Sequence, residues 1–150
     1  MALKKTLAIV GATEKNGRIL VNQFACMPYR LLLVSNKLGE LQQLSNDISK
    51  KYQEADLESL ECVKDGCWEA DIIVLAVPVE DIQKVAEVIK EVATQKIVVE
   101  ISDQEQDINE LKKILPNSKL VRILGNLQSK EIVIKGDNEI VNEEIMKIFN

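Results

Sequence analysis

With 150 residues, 46% of them hydrophobic and 29% charged, the chain has the make-up of one ordinary globular domain. A formal net charge of −5 and a pI of about 4.9 leave no basic face for nucleic acid or anionic lipid. The longest apolar runs, such as Ile72 to Val79, are too short to span a bilayer, and Met1-Ala2-Leu3-Lys4-Lys5 lacks the apolar stretch and cleavage site of a signal peptide. With only three cysteines, which cannot all pair off, a reducing cytoplasm is the expected compartment.

Strand-like and helix-like stretches alternate along the whole chain. Thr6 to Val10 reads as an apolar strand ending at Gly11, and Gly17 to Met27 as a helix with Leu20 and Phe24 one turn apart. Leu31 to Val34 is a second strand. Leu38, Leu41, Leu44 and Ile48 follow at helical spacing. Tyr52 to Glu69 is less regular; it reads as a short strand near Ala55 to Leu57 and then a short helix. Ile72 to Val77 is a third clear strand, and Ile82, Val85, Ala86, Ile89 and Val92 form the most amphipathic helix. Strand Ile97 to Ile101, helix Ile108 to Leu115, strand Leu120 to Leu124, strand Ile132 to Ile134 and helix Glu139 to Phe149 complete the series. Strands apolar on both faces, separated by amphipathic helices, imply a mostly parallel sheet covered on both sides. The expected fold is α/β, a doubly wound Rossmann-type sheet, in a single domain over residues 1–150.

Ligands of such sheets bind beyond the carboxyl ends of the strands. The loop after the first strand reads Gly11-Ala12-Thr13-Glu14-Lys15-Asn16-Gly17-Arg18. Gly11 permits a tight turn, and Gly17 permits close approach of helix to sheet. Free amides at the helix start suit a pyrophosphate, with Thr13 and Asn16 as side-chain donors and Lys15 or Arg18 as compensating charge. Glu14 stands near the place of the usual central glycine. After the second strand comes Val34-Ser35-Asn36-Lys37, where an NAD site would carry a carboxylate for the ribose 2′-hydroxyl. A hydroxyl, an amide and an ammonium suit a 2′-phosphate instead, so NADP(H) is the expected cofactor. The third clear strand ends in Ala76-Val77-Pro78. Ala76 and Val77 are expected to form a small apolar floor, and Pro78 to open the next helix.

Taken in order, these segments resemble the NADP oxidoreductases that depend on coenzyme F-420. They also resemble the nucleotide domains of prephenate dehydrogenase and pyrroline-5-carboxylate reductase. The likeness is carried by Ile9-Val10-Gly11-Ala12-Thr13 with Gly17, by Val34-Ser35-Asn36-Lys37 and by Ala70 to Pro78. It continues through Lys96 to Ser102, then Leu115-Pro116 and Leu120-Val121-Arg122. The resemblance implies that Thr13 to Gly17 hold the pyrophosphate and Ser35 to Lys37 the 2′-phosphate, with Val77-Pro78 beside the nucleotide toward its nicotinamide end. The chain departs from the family at Glu14, which replaces a glycine, and at Ser102-Asp103-Gln104-Glu105, where the family tends to have an Asn-Pro turn. Members of the family also continue into a C-terminal part that shapes the second-substrate pocket. The Gly-Ala-Thr loop is similar to that of atypical short-chain dehydrogenases as well. However, neither Tyr29 nor Tyr52 has a lysine four residues on, since Leu33 and Asp56 stand there.

The chain contains no histidine, which removes His-based acid–base chemistry and most zinc sites. Cys26, Cys62 and Cys67 read as core or half-buried thiols, and Trp68 as a packing residue on a helix edge. Glu100, Asp103, Glu105, Asp107 and Glu110 read as loop and first-turn charges, with Glu100 near the expected cleft. Three expectations follow for function: an NADP(H)-dependent oxidoreductase domain acting on an unidentified small molecule, a non-catalytic nucleotide-binding or regulatory module, or a homodimer that completes the site.

Overall fold

The computed structural model describes residues 4–102 and 108–149. Asp103, Gln104, Glu105 and Asp107, assigned above to a loop, lie outside the described residues. The elements run β1 (Lys5–Val10), α1 (Lys15–Phe24), β2 (Tyr29–Val34), α2 (Leu38–Lys51), β3 (Asp56–Leu60), α3 (Val63–Glu69) and β4 (Ile72–Leu75). A single 3-10 turn (Val79–Asp81) leads into α4 (Ile82–Ile89). Then follow β5 (Ile97–Ser102), α5 (Ile108–Ile114), β6 (Lys119–Asn126), β7 (Glu131–Gly136) and α6 (Glu139–Phe149).

Several boundaries differ from the sequence expectation, each for a local reason. Helix α1 starts at Lys15, ahead of Gly17, because the carbonyl of Glu14 already accepts the Arg18 amide at 2.9 Å. It ends at Phe24 rather than Met27, after Ala25 closes the last turn onto the Val21 carbonyl at 3.0 Å. Strand β4 stops at Leu75, two residues early. The Ala76 amide still reaches the Val10 carbonyl at 2.8 Å, but Pro78 has no N–H to continue a ladder. The irregular stretch after Tyr52 resolves into β3, a half-exposed edge strand carrying Asp56, Glu58 and Ser59, and the short α3. An edge strand buries little, so its apolar pattern is weak.

The seven strands lie in the order β3-β2-β1-β4-β5-β6-β7. All neighbours are parallel except β7, which runs antiparallel to β6. Strand order reverses between β1 and β4, the doubly wound switch point. The register sets Val10 beside both Val34 and Leu75, and Val34 beside Leu60. The carboxyl ends of β1, β2, β3 and β4 therefore finish at one level, and the loops that follow them converge.

Alternation along each strand divides the core between two faces. Leu7 and Ile9 point to one side, with Leu20, Leu44 and Ile145. Ala8 and Val10 point to the other, with Cys67, Ile82 and Leu111. Helix α6 folds back on the first face, where Phe149 meets the Phe24 ring edge to face at 5.3 Å. Among the described residues, no helix is long and apolar enough to cross a membrane.

Candidate functional site

A cleft of about 300 Å³ opens at the switch point. This is at the lower end of the range for small-molecule sites. Its floor is Val10 and Gly11. One wall is Thr13 and Glu14, continued by Val34, Ser35 and Asn36; the opposite wall is Val77, Pro78, Val85 and Val88.

Two glycines set the geometry of the first loop. Gly11 has φ +86°, and a Cβ there would lie 2.9 Å from the Ala76 carbonyl carbon and oxygen. A side chain is excluded by conformation and by space alike. A Cβ on Gly17 would fall 2.0 Å from the Gly11 carbonyl oxygen, so only glycine lets α1 press this closely on the end of β1. The amides of Gly11 and Ala12 both donate to the Val34 carbonyl, at 3.0 and 3.1 Å, and the Glu14 amide donates to the Gly11 carbonyl at 2.9 Å. These bonds join the β1 turn to the end of β2. They also narrow the sequence expectation: the amides of Gly11, Ala12 and Glu14 are committed internally, and the first-turn donors of α1, on Lys15, Asn16 and Gly17, are those without an upstream helical acceptor.

Thr13 and Ser35 are buried, and their hydroxyls meet at 2.6 Å at the base of the cleft. Ser35 Oγ also accepts the Lys37 amide at 3.1 Å, which shapes the turn after β2. Glu14 occupies the N-cap position of α1 in extended conformation, yet its carboxylate makes no capping bond. It reaches across to Lys37 instead, with Oε1 3.4 Å from Nζ.

The structure thus brings Gly11, Thr13, Glu14, Ser35, Asn36, Val77 and Pro78 to the cleft wall. Lys37 stands at its edge through Glu14. Ala12, Gly17 and Ala76 are buried behind it as packing. Lys15 is exposed and Asn16 half-buried at the start of α1, outside the lining. Arg18 braces the loop rather than facing the cleft: its Nε donates to the Thr13 carbonyl at 2.8 Å, and its far end lies 3.6 Å from Glu40.

Sequence reasoning missed Glu61 and Val63 from the β3–α3 junction, Asp81 from the 3-10 turn, and Lys84, Val85 and Val88 along α4. The available signal was positional, since both segments directly follow strand ends at the switch point. Glu100 is not in this cleft. It is buried and paired with Arg122, whose Nε and one terminal nitrogen both donate to Glu100 Oε2, at 3.3 and 3.1 Å. The pair faces a separate hollow between the start of α4 and α5.

Three further side chains also differ from expectation. Trp68 is 69% exposed, because it sits on the outer side of the short α3. Cys26 and Cys62 are exposed, and only Cys67 is in the core. Burial pushes the Cys67 thiol up to about 12, against the opposing charge of Lys96. A thiol held neutral in this way is a poor nucleophile and a poor redox partner for Cys62. Burial likewise lowers the Lys96 ammonium, whose Nζ donates to the Cys67 carbonyl at 2.6 Å and closes the end of α3.

The donor set fits a dinucleotide phosphate. Glycines bring backbone close, hydroxyls lie deep, an ammonium stands at the turn after β2, and Val77, Val85 and Val88 add apolar lining. The carboxylates of Glu14, Glu61 and Asp81 run against this, and Lys84 offsets part of their charge.

Comparison with solved structures supports the same fold. A pyrroline carboxylate reductase from Plasmodium falciparum, solved with NADP bound, superposes with a TM-score of 0.75 at 18% identity, covering 100% of this chain and 55% of its own. A pyrroline-5-carboxylate reductase from Coxiella burnetii gives 0.77 at 16%, covering 99% of this chain and 56% of its own. A proposed F420-dependent NADP reductase from Arthrobacter sp. gives 0.75 at 13%, covering 99% and 80%. The chain thus spans little more than half the length of the two carboxylate reductases, and at these identities the likeness is one of fold. No curated protein matches the sequence. The family model for NADP oxidoreductase, coenzyme F420-dependent, matches residues 6–104, which run from the second residue of β1 through β5 and include every residue lining the switch-point cleft. The chain therefore belongs to the coenzyme F420-dependent NADP oxidoreductase family, as an NADP-binding domain of Rossmann type.

Proposed function

We propose that the switch-point cleft holds the adenosine end of NADP(H) and that the domain serves hydride transfer to or from a second, small-molecule substrate. The observation that carries this reading is the coupling of the two loops. The Thr13–Ser35 hydroxyl pair, at 2.6 Å, fixes the turn after β1 against the turn after β2. One turn then offers the first amides of α1 to a diphosphate, and the other offers Ser35, Asn36 and Lys37 to a 2′-phosphate. Val85 and Val88 supply apolar surface for the adenine ring, and Val77 and Pro78 line the cleft toward the nicotinamide end. Ala12, Gly17 and Ala76 act from behind by keeping the loop close to the strands. When bound, the nicotinamide supplies the hydride chemistry; the protein's part is to bind, orient and exclude water.

Calorimetric titration with NADPH and NADH tests the reading. Micromolar-scale binding of NADPH, tighter than that of NADH, is expected. Equal affinity for the two, or binding of neither, would remove it.

A second reading, binding without turnover, draws support from the carboxylates in the cleft and from a sequence without histidine. A panel of imine, carbonyl and deazaflavin acceptors separates the two: NADPH consumption with any of them favours the oxidoreductase. A homodimer that completes the second-substrate side belongs to the first reading, and sedimentation checks it. The cytoplasm is the proposed compartment, on the ground that the three cysteines cannot all pair off.

A further inference from the structure

We infer that the Glu14 carboxylate is a built-in competitor for the 2′-phosphate of NADP(H) at Lys37, making Glu14 a determinant of cofactor selectivity in this chain. The inference rests on the proposed reading of the cleft as an NADP(H) site.

Glu14 sits at the N-cap of α1 with φ −77° and ψ 165°, the conformation from which a side-chain oxygen ordinarily turns back to the first-turn amides. It makes no such bond. A carboxylate at that position would also be favoured by the helix dipole, so something else holds it. Its partner is Lys37 Nζ, 3.4 Å away on the turn after β2. The Lys37 backbone is pinned by its N–H bond to Ser35 Oγ at 3.1 Å, whereas its ammonium is half-exposed and free to exchange partners. The pair therefore spans the edge of the cleft, from the start of α1 to the start of α2. This is the edge at which the Ser35–Lys37 turn would meet a 2′-phosphate.

The magnitudes suit a displaceable contact. Glu14 and Lys37 are 34% and 51% exposed at their side chains. Pairs this open are worth only about two- to fivefold in an equilibrium constant. A phosphate monoester carries nearly two negative charges at neutral pH and three acceptor oxygens, so it outcompetes a single carboxylate for one ammonium. NADH has a hydroxyl at that position and nothing to exchange for Glu14, so the pair stays closed. Glu14 therefore weakens NADP(H) without touching NAD(H), and it narrows the gap between them.

The test is a double-mutant cycle read by calorimetry with both cofactors. Glu14→Gln keeps the size of the side chain and removes its charge. It is expected to tighten NADPH roughly two- to fivefold and to leave NADH unchanged. In a Lys37→Gln background the same change is expected to give no gain, because there is no ammonium left to release. Equal tightening of NADPH and NADH would make Glu14 a general repeller of the diphosphate and overturn the inference. A gain that persists without Lys37, or no gain while the unaltered chain binds NADPH, would also overturn it. If the unaltered chain and the variants bind neither cofactor, the reading of the cleft itself falls, and this inference with it.

Discussion

Two charged pairs bridge neighbouring elements near the carboxyl edge of the same sheet, and they are opposite in kind. Glu14 and Lys37 face each other across an open cleft, with half-exposed side chains. Glu100 and Arg122 sit opposite one another on adjacent strands β5 and β6, with side chains 2% and 6% exposed. In water, the first pair gains little and can exchange partners at small cost. The second pair has lost its hydration, so each charge depends on the other. A similar residue pairing thus yields a displaceable contact in one place and a fixed structural element in the other. What separates them is depth: Glu100 and Arg122 are paired strand residues buried at the bottom of their hollow, while Glu14 and Lys37 stand on the turns at the edge of the switch-point cleft.

The sharpest way to break this contrast is to remove one partner of the buried pair. Arg122→Met should cost about 3–5 kcal/mol by stranding the Glu100 carboxylate, read as a fall in the denaturant midpoint. Adding Glu100→Leu should restore most of that stability, since a well-packed apolar pair can replace buried charges. If the single change is as mild as a surface substitution, the two pairs do not differ as described. Next in size is Gly17→Ala. Its Cβ would meet the Gly11 carbonyl at 2.0 Å, so α1 must move away from β1. A loss of roughly 1–3 kcal/mol is expected, with NADPH affinity falling as the loop shifts. Thermal unfolding with and without NADPH measures both effects.

Lys37→Glu tests the exposed pair from the other side. Stability should change little, while NADPH binding should weaken roughly tenfold and NADH binding much less, from the loss of charge-assisted phosphate pairing. Equal weakening of both cofactors would detach Lys37 from the 2′-phosphate. The smallest effect concerns Cys67. Its thiol pKa is raised from 9.0 to about 12, so the folded chain keeps the proton while the unfolded chain loses it above pH 9. Ionisation then favours the unfolded state, and this contribution to stability falls as pH rises from about 9 toward 12. Cys67→Ala should remove that slope from denaturation measured across the range. In the native protein near pH 8, Cys26 and Cys62 should react with a thiol reagent well before Cys67 does.

The first loop and the turn after β2 were legible because their evidence is local. Gly11, Thr13 and Gly17 occur within one turn directly after an apolar strand, and Ser35, Asn36 and Lys37 follow the next strand. The remainder of the cleft comes from Glu61, Val63, Asp81, Lys84, Val85 and Val88, far along the chain and unremarkable in their own surroundings. Nor could Trp68 be assigned correctly, because an aromatic residue on a short helix reads as packing until the helix's covered side is known.

The sequence by itself determined the fold class, the order of strands and helices and the two loops suited to an anionic cofactor. Period, glycine placement and strand-end chemistry are short-range properties, written within a few residues. Only the tertiary structure decided the partners: Glu14 with Lys37, Glu100 with Arg122, and Thr13 with Ser35. Those pairings depend on strand register and on which sheet face each helix covers. Both are set by packing the whole core at once, so no local stretch of sequence contains them.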